Sequence, residues 1–194
     1  MTHNRLSSLT VAAFVLLMFL PQAFTEETFP NGDKLRTAFW IWSALPPDKS
    51  TERFQLRCFR REITLPKSKS IKAAKVWATA DNRFSLFVNG IDVMSGENWK
   101  ETYSQDVMAM LKPDKNLLSI EAFSSDATAG LLFCMEVLLE DGQQIVFVSD
   151  ESWESIGEPL DGWNQPATSS KLTWEPVKVL GRNGIQPWKL HTAE

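Results

Sequence analysis

The stretch AKVWATADNRFSLFVNG, residues 74–90, decides the reading of this chain. Ala74, Val76, Ala78 and Ala80 alternate with Lys75, Trp77 and Thr79, and a period of two sets the small residues on one face of a β-strand. Phe84, Leu86 and Val88 repeat the alternation in a second strand. That strand runs into Asn89-Gly90, a dipeptide that accepts the positive φ angles of a type I′ hairpin turn, and residues 91–93 return from it.

Downstream, Asp106 can cap a single helical turn carrying Val107, Met110 and Leu111. The apolar runs 117–123, 130–139 and 144–148 read as three further strands, the last two joined at Asp141-Gly142. The tail from Ser149 sets Trp153, Trp163, Trp174 and Trp188 among Gly, Pro and Ser with little periodicity, as in a segment that wraps a sheet and is pinned by its aromatic rings. Upstream, Trp40 and Trp42 share a side of any extended segment, and core packing is the default for both and for Trp77. Short strands separated by turns, with no alternating helices, predict an all-β, antiparallel two-sheet β-sandwich with short helical turns.

The 194 residues, 43% of them hydrophobic, suit one globular domain behind a leader. His3 and Arg5 precede the apolar run LTVAAFVLLMFL at 9–20, so residues 1–24 read as a signal peptide and residues 25–194 as the domain. The run is shorter than the roughly 20 apolar residues of a membrane span, so no stable span is expected after cleavage; a retained anchor is the alternative. A secreted or periplasmic location follows. Losing Arg5 with the leader leaves 19 basic against 24 acidic residues, a balance that disfavours nucleic acid. Cys58 and Cys134 both fall in strand-like stretches, and export would let them form a disulfide; two unrelated half-buried thiols are the other reading.

Several short strings occur in one order: Trp40-Ile41-Trp42, Phe59-Arg60-Arg61-Glu62-Ile63, residues 78–90, residues 106–111, Asn116 to Ala122, Gly130-Leu131-Leu132, Asp141-Gly142 and Ser149 to Trp153. This order resembles the N-terminal sugar-binding jelly roll of bacterial α-L-rhamnosidases, a galactose-binding-like domain, and is similar to the corresponding domain of family 2 glycoside hydrolases. The resemblance implies the galactose-binding-like jelly roll as fold. It is weaker on function, because the superfamily mixes lectin-like modules with modules that brace a neighbour. In enzymes of these families a catalytic domain follows the jelly roll, whereas here the sequence stops at Glu194. Asp114 stands where a glycine is common in the turn after Leu111.

Some rhamnosidase-type modules use an Asp-Asn pair at the place of Asp81-Asn82 to help hold calcium and a sugar, and the resemblance carries calcium to those two residues alone. Calcium takes six to eight oxygens, so this pair would supply a minority. Asp81, Asn82 and Arg83 lie between two strands, where a loop can offer a carboxylate, an amide and a guanidinium to a polyol; a turn bonded to its own backbone is the plainer alternative. Glu97, Asn98 and Trp99 combine an indole platform with two polar groups, the composition of a sugar site and equally of a loop packed down by its Trp.

For catalysis the signals are thin. His3 goes with the leader and His191 lies near the end of the chain, which leaves no Ser-His-Asp or Cys-His arrangement. The carboxylates Glu136, Asp150, Glu151 and Glu154 are available for a glycosidase pair, but the separation that would define its mechanism is not visible in sequence. Clustered histidines for zinc or iron, a phosphate loop and a dinucleotide fingerprint are absent from the sequence. The expectation is an exported, non-catalytic carbohydrate-binding module whose partner is a glycan or polysaccharide. The alternative is a structural or interaction domain that keeps the jelly roll without a sugar site and docks to a larger exported protein.

Overall fold

The computed structural model describes residues 34–46, 54–125 and 128–192. The expected signal peptide, residues 1–24, lies outside the described residues. Within them, eleven strands form one antiparallel hydrogen-bonded path that folds back on itself into two facing layers. In chain order they are β1 (Phe39–Ser43), β2 (Gln55–Leu65), β3 (Ile71–Asp81), β4 (Arg83–Val88), β5 (Ile91–Gly96), β6 (Tyr103–Asp106), β7 (Asp114–Ser124), β8 (Gly130–Leu139), β9 (Gln144–Val148), β10 (Glu154–Ile156) and β11 (Glu175–Arg182). The path runs β5-β4-β7-β2-β10-β11-β1-β8-β3-β6, with β9 added to β8. Strand β11 links the layers, pairing β10 on one side and β1 on the other. The all-β sandwich expected from the sequence is the fold observed.

The alanine face of β3 packs inward. Ala74, Val76, Ala78 and Ala80 meet Phe84, Leu86 and Val88 of β4, Leu118, Ile120 and Ala122 of β7, and Leu131, Phe133 and Met135 of β8 in one buried cluster. Small side chains on β3 leave room for Phe59, Phe133 and Trp153 in the same layer. The hairpin forms at Asn89-Gly90, with φ of 54° and 82° and Val88 facing Ile91. The Asn89 side chain also accepts the Leu117 N–H at 3.0 Å and donates to Met110 O and Asn116 Oδ1, tying the turn to its neighbours. The helical turn is a 3-10 turn at Met108–Met110, and Asp106 Oδ1 accepts the Met108 N–H at 3.0 Å. Asp114 has φ of 71°, the left-handed conformation that explains glycine's frequency there.

Two expectations are corrected. Trp40 and Trp42 do not share a side: a bulge between Trp40 and Ile41 breaks the alternation, so Trp42 enters the central core while Trp40 packs on the outer face. Cys58 and Cys134 are not bridged. Cys58 sits with Ile156 and Trp163 on the outer face of one layer, and Cys134 with Trp40, Trp77 and Trp188 on the outer face of the other. Layers about 10 Å apart separate them far beyond the ~4 Å between Cβ atoms that a disulfide needs.

The tail wraps both outer faces. Residues 157–174 lay Trp163 edge-on to Phe87 and Trp174 over the Arg60 guanidinium. Residues 183–192 cover the other face, where Asn183 accepts the His191 N–H at 3.0 Å and donates to the carbonyls of His191 and Leu35. The aromatic pinning was expected; strands β10 and β11 within the tail were not.

Candidate functional site at the sheet-crossing end

Connections cross from layer to layer at one end of the sandwich. Asn82 carries the chain from β3 to β4 and residues 97–102 carry it from β5 to β6, while β7 ends and β8 begins at this same end. Ala78 pairs with Tyr103, so the 97–102 loop runs beside the Thr79–Asp81 end of β3. The topology thus brings both sequence-identified groups to one end.

Their side chains are largely engaged within the protein. Asp81, 7% exposed, accepts the Trp188 indole N–H at Oδ2 at 3.0 Å and the Asn82 amide at Oδ1 at 3.0 Å. Asn82 Oδ1 accepts the N–H and hydroxyl of Ser125 at 2.6 and 2.8 Å, and the Asn82 backbone N–H donates to Phe123 O at 2.7 Å. Because β4 belongs to the other layer, Arg83 points away from Asp81 and lays its guanidinium 4.4 Å from the Phe123 ring centre. Phe54, 57% exposed, stacks on the same ring at 6.1 Å. Arg83, Phe123 and Phe54 form a row of flat groups on this end, which no local pattern of residues foretells.

In the 97–102 loop, Asn98 donates to Glu101 Oε1 at 2.8 Å and accepts the Lys100 N–H at 3.1 Å. Trp99 is half-buried against the outer-face cluster, with the Lys100 ammonium 5.7 Å from its ring centre. Glu97 is exposed.

Sequence reasoning missed Ser125, Thr102, Trp188 and His191. Trp188 stacks on Trp40 at 4.3 Å while its N–H holds Asp81. His191, 2% exposed, stands edge-on to Trp40 with Nδ1 3.1 Å from the Thr102 hydroxyl, and burial lowers its pKa to about 4, with Lys189 adding to the effect. A Trp three residues from a His, at the end of an irregular tail, was the available signal.

A calcium ion asks for six to eight oxygens. Here both accepting positions of Asn82 Oδ1 are taken by Ser125, and Asp81 Oδ2 is taken by Trp188. As arranged, the pair does not fit a calcium shell. Among the described residues no group of three or more His, Cys, Asp or Glu side chains is gathered as a metal site. Of the carboxylates considered for catalysis, Asp150 pairs with Arg61 and Glu154 with Arg60, while Glu136 is buried. No helix among the described residues is long and apolar enough to cross a membrane.

The two-layer antiparallel sandwich is consistent with a galactose-binding-like domain. Solved structures agree. The chain is similar to an α-L-rhamnosidase of Streptomyces avermitilis complexed with L-rhamnose, at 27% identity and TM-score 0.68, over 80% of this chain and 16% of that one. It is similar to the lectin of Pleurotus ostreatus in complex with GalNAc, at 28% identity and TM-score 0.67, over 82% of this chain and 47% of the lectin. A family 78 rhamnosidase of Bacillus sp. GL1, at 23% identity and TM-score 0.61 over 79% of this chain and 19% of that one, shares the fold. The chain spans less than half the length of each. No protein-family model matches it, and no curated protein does.

Proposed function

We propose that this chain is an exported, non-catalytic carbohydrate-binding module that takes a sugar of a glycan or polysaccharide at the sheet-crossing end. The observation that carries the reading is that Asn82, Arg83 and the loop carrying Glu97, Asn98 and Trp99 all lie at one end of the sandwich, in a fold similar to a lectin solved with GalNAc. In this arrangement aromatic faces receive the apolar side of a pyranose, and the amides and guanidinium orient its hydroxyls. Asp81 is a positioning residue that fixes Asn82 and the tail. Calcium assistance would require Asn82 to release Ser125. The apolar run at 9–20 supports export to a secreted or periplasmic location.

Titration calorimetry with a panel of neutral sugars and polysaccharides, with calcium and with chelator, tests the proposal. Asn82→Ala combined with Trp99→Ala is expected to weaken binding at least tenfold. Unchanged affinity in that variant would contradict the site.

A second reading has one observation in its favour: the Asp81-Asn82 turn is filled by Trp188 and Ser125, as it would be in a structural domain that docks to a larger exported protein. Crosslinking at the cell envelope that recovers a defined partner, with no sugar bound in calorimetry, would favour it.

A further inference from the structure

On the outer face of the layer built from β2, β7 and β10, the 157–174 segment stands off the sheet and leaves a cleft of about 250 Å³. This volume is below the roughly 300–1,000 Å³ of sites for drug-sized molecules and suits a single sugar ring. Ser124 ends β7 at the sheet-crossing end and Leu117 lies seven residues back along the strand, about 24 Å away at ~3.4 Å per residue, so the cleft is separate from that end.

Two ion pairs define its chemistry. Arg60 Nε meets Glu154 at 2.9 Å, and Lys115 meets Glu62 at 2.8 Å. Each cation is matched by a carboxylate, so the cleft offers donors and acceptors together with little net charge to select an anion or a cation. Hydroxyl groups both donate and accept, and a neutral polyol matches such a surface. Leu117 and Pro166 supply apolar wall for the C–H face of a pyranose. Arg60 is held before any ligand arrives: its guanidinium lies 4.5 Å from the Trp174 ring centre, and Nη1 donates to Ser169 O at 2.6 Å and Ser169 Oγ at 3.1 Å. A fixed donor lowers the ordering cost of binding.

We infer that this cleft is a second binding site, for one neutral pyranose unit, independent of the sheet-crossing end. Two sites on one small module would let it bridge or grip a multivalent glycan with an affinity above that of either site alone.

The test is an amide-resolved NMR titration of the full chain with D-galactose, N-acetylgalactosamine and L-rhamnose, with sodium phosphate as an anion control. Saturable shifts are expected at Leu117, Ser169 and Ser170 with at least one sugar and not with phosphate, and they should persist in Asn82→Ala. Ser170→Trp, which fills the cleft from an exposed position, should abolish them. Glu62→Gln, at a solvent-facing side chain that folding tolerates, should weaken them severalfold. Shifts confined to residues 81–83 and 97–102 would overturn the second site and leave the first standing. Equal shifts with phosphate would overturn the polyol assignment, and no shift at Leu117, Ser169 and Ser170 with any of the three sugars would overturn this second site.

Discussion

The indole N–H of Trp188 donates to Asp81 Oδ2 at 3.0 Å across 107 residues of sequence, closing the C-terminal tail onto the end of β3. A buried carboxylate that loses its donor keeps its desolvation cost, so the bond matters more when broken from one side than its net value suggests. Trp188→Phe keeps the stack on Trp40 and deletes the donor, and should destabilise by about 1–3 kcal/mol. Asp81→Asn should cost a similar amount, and the double variant less than the sum of the two. Urea unfolding of the four proteins checks the cycle; full additivity would mean that the bond contributes nothing.

Gly130 lies beneath that stack. A Cβ there would come within 2.6 Å of the Trp188 ring and 2.7 Å of the Trp40 ring, so Gly130→Ala must push two stacked indoles apart. Overpacking of this kind costs about 1–3 kcal/mol, read as a lowered unfolding midpoint with an unchanged denaturant slope.

Acid should loosen the tail. His191 has a folded pKa of about 4 against an ordinary 6.5, so between those values the unfolded chain binds more protons than the folded one. Its contribution is therefore complete above pH 6.5, falls as the pH drops and levels off below pH 4. The loss is at most about 3.5 kcal/mol at ~1.4 kcal/mol per pKa unit. His191→Gln removes the titration, and the difference in stability between the two proteins from pH 7 to pH 4 should follow that slope. Parallel curves would contradict it.

The thiols should be inert in the folded state. Burial, with a smaller effect from the Glu121 charge, pushes the Cys58 thiol well above its ordinary pKa, and Cys134 is fully buried on the opposite face. Alkylation at neutral pH should wait for global unfolding. Thermal midpoints with and without reductant should coincide, and a midpoint lowered by reductant would reveal a bridge.

What could be read from sequence was local. The inward alanines of β3 and the Asn89-Gly90 turn each express a preference of neighbouring residues, and each stands in the structure; Asp106 bonds the Met108 N–H, but Val107 holds the cap position. What could not be read depends on distant partners. The bulge after Trp40 arises in the pairing of β1 with β11, and β11 holds Pro176, Gly181 and little alternation, so its strand character comes from the two strands beside it. The candidate site was legible as two loops of suitable composition. That Arg83 faces away from Asp81 follows from the switch of layer at Asn82, and that Asp81 is held by Trp188 is a contact across most of the domain; neither leaves a trace in spacing.

The most direct test of the central claim is thermal unfolding of residues 25–194 with neutral sugars and polysaccharides, each with calcium or with chelator. A ligand at about 100 times its dissociation constant adds roughly 2.7 kcal/mol to stability, a rise of a few degrees in a domain of this size. A selective rise is expected with at least one sugar, lost in Asn82→Ala combined with Trp99→Ala. A midpoint that no sugar or polysaccharide moves would contradict the carbohydrate-binding reading.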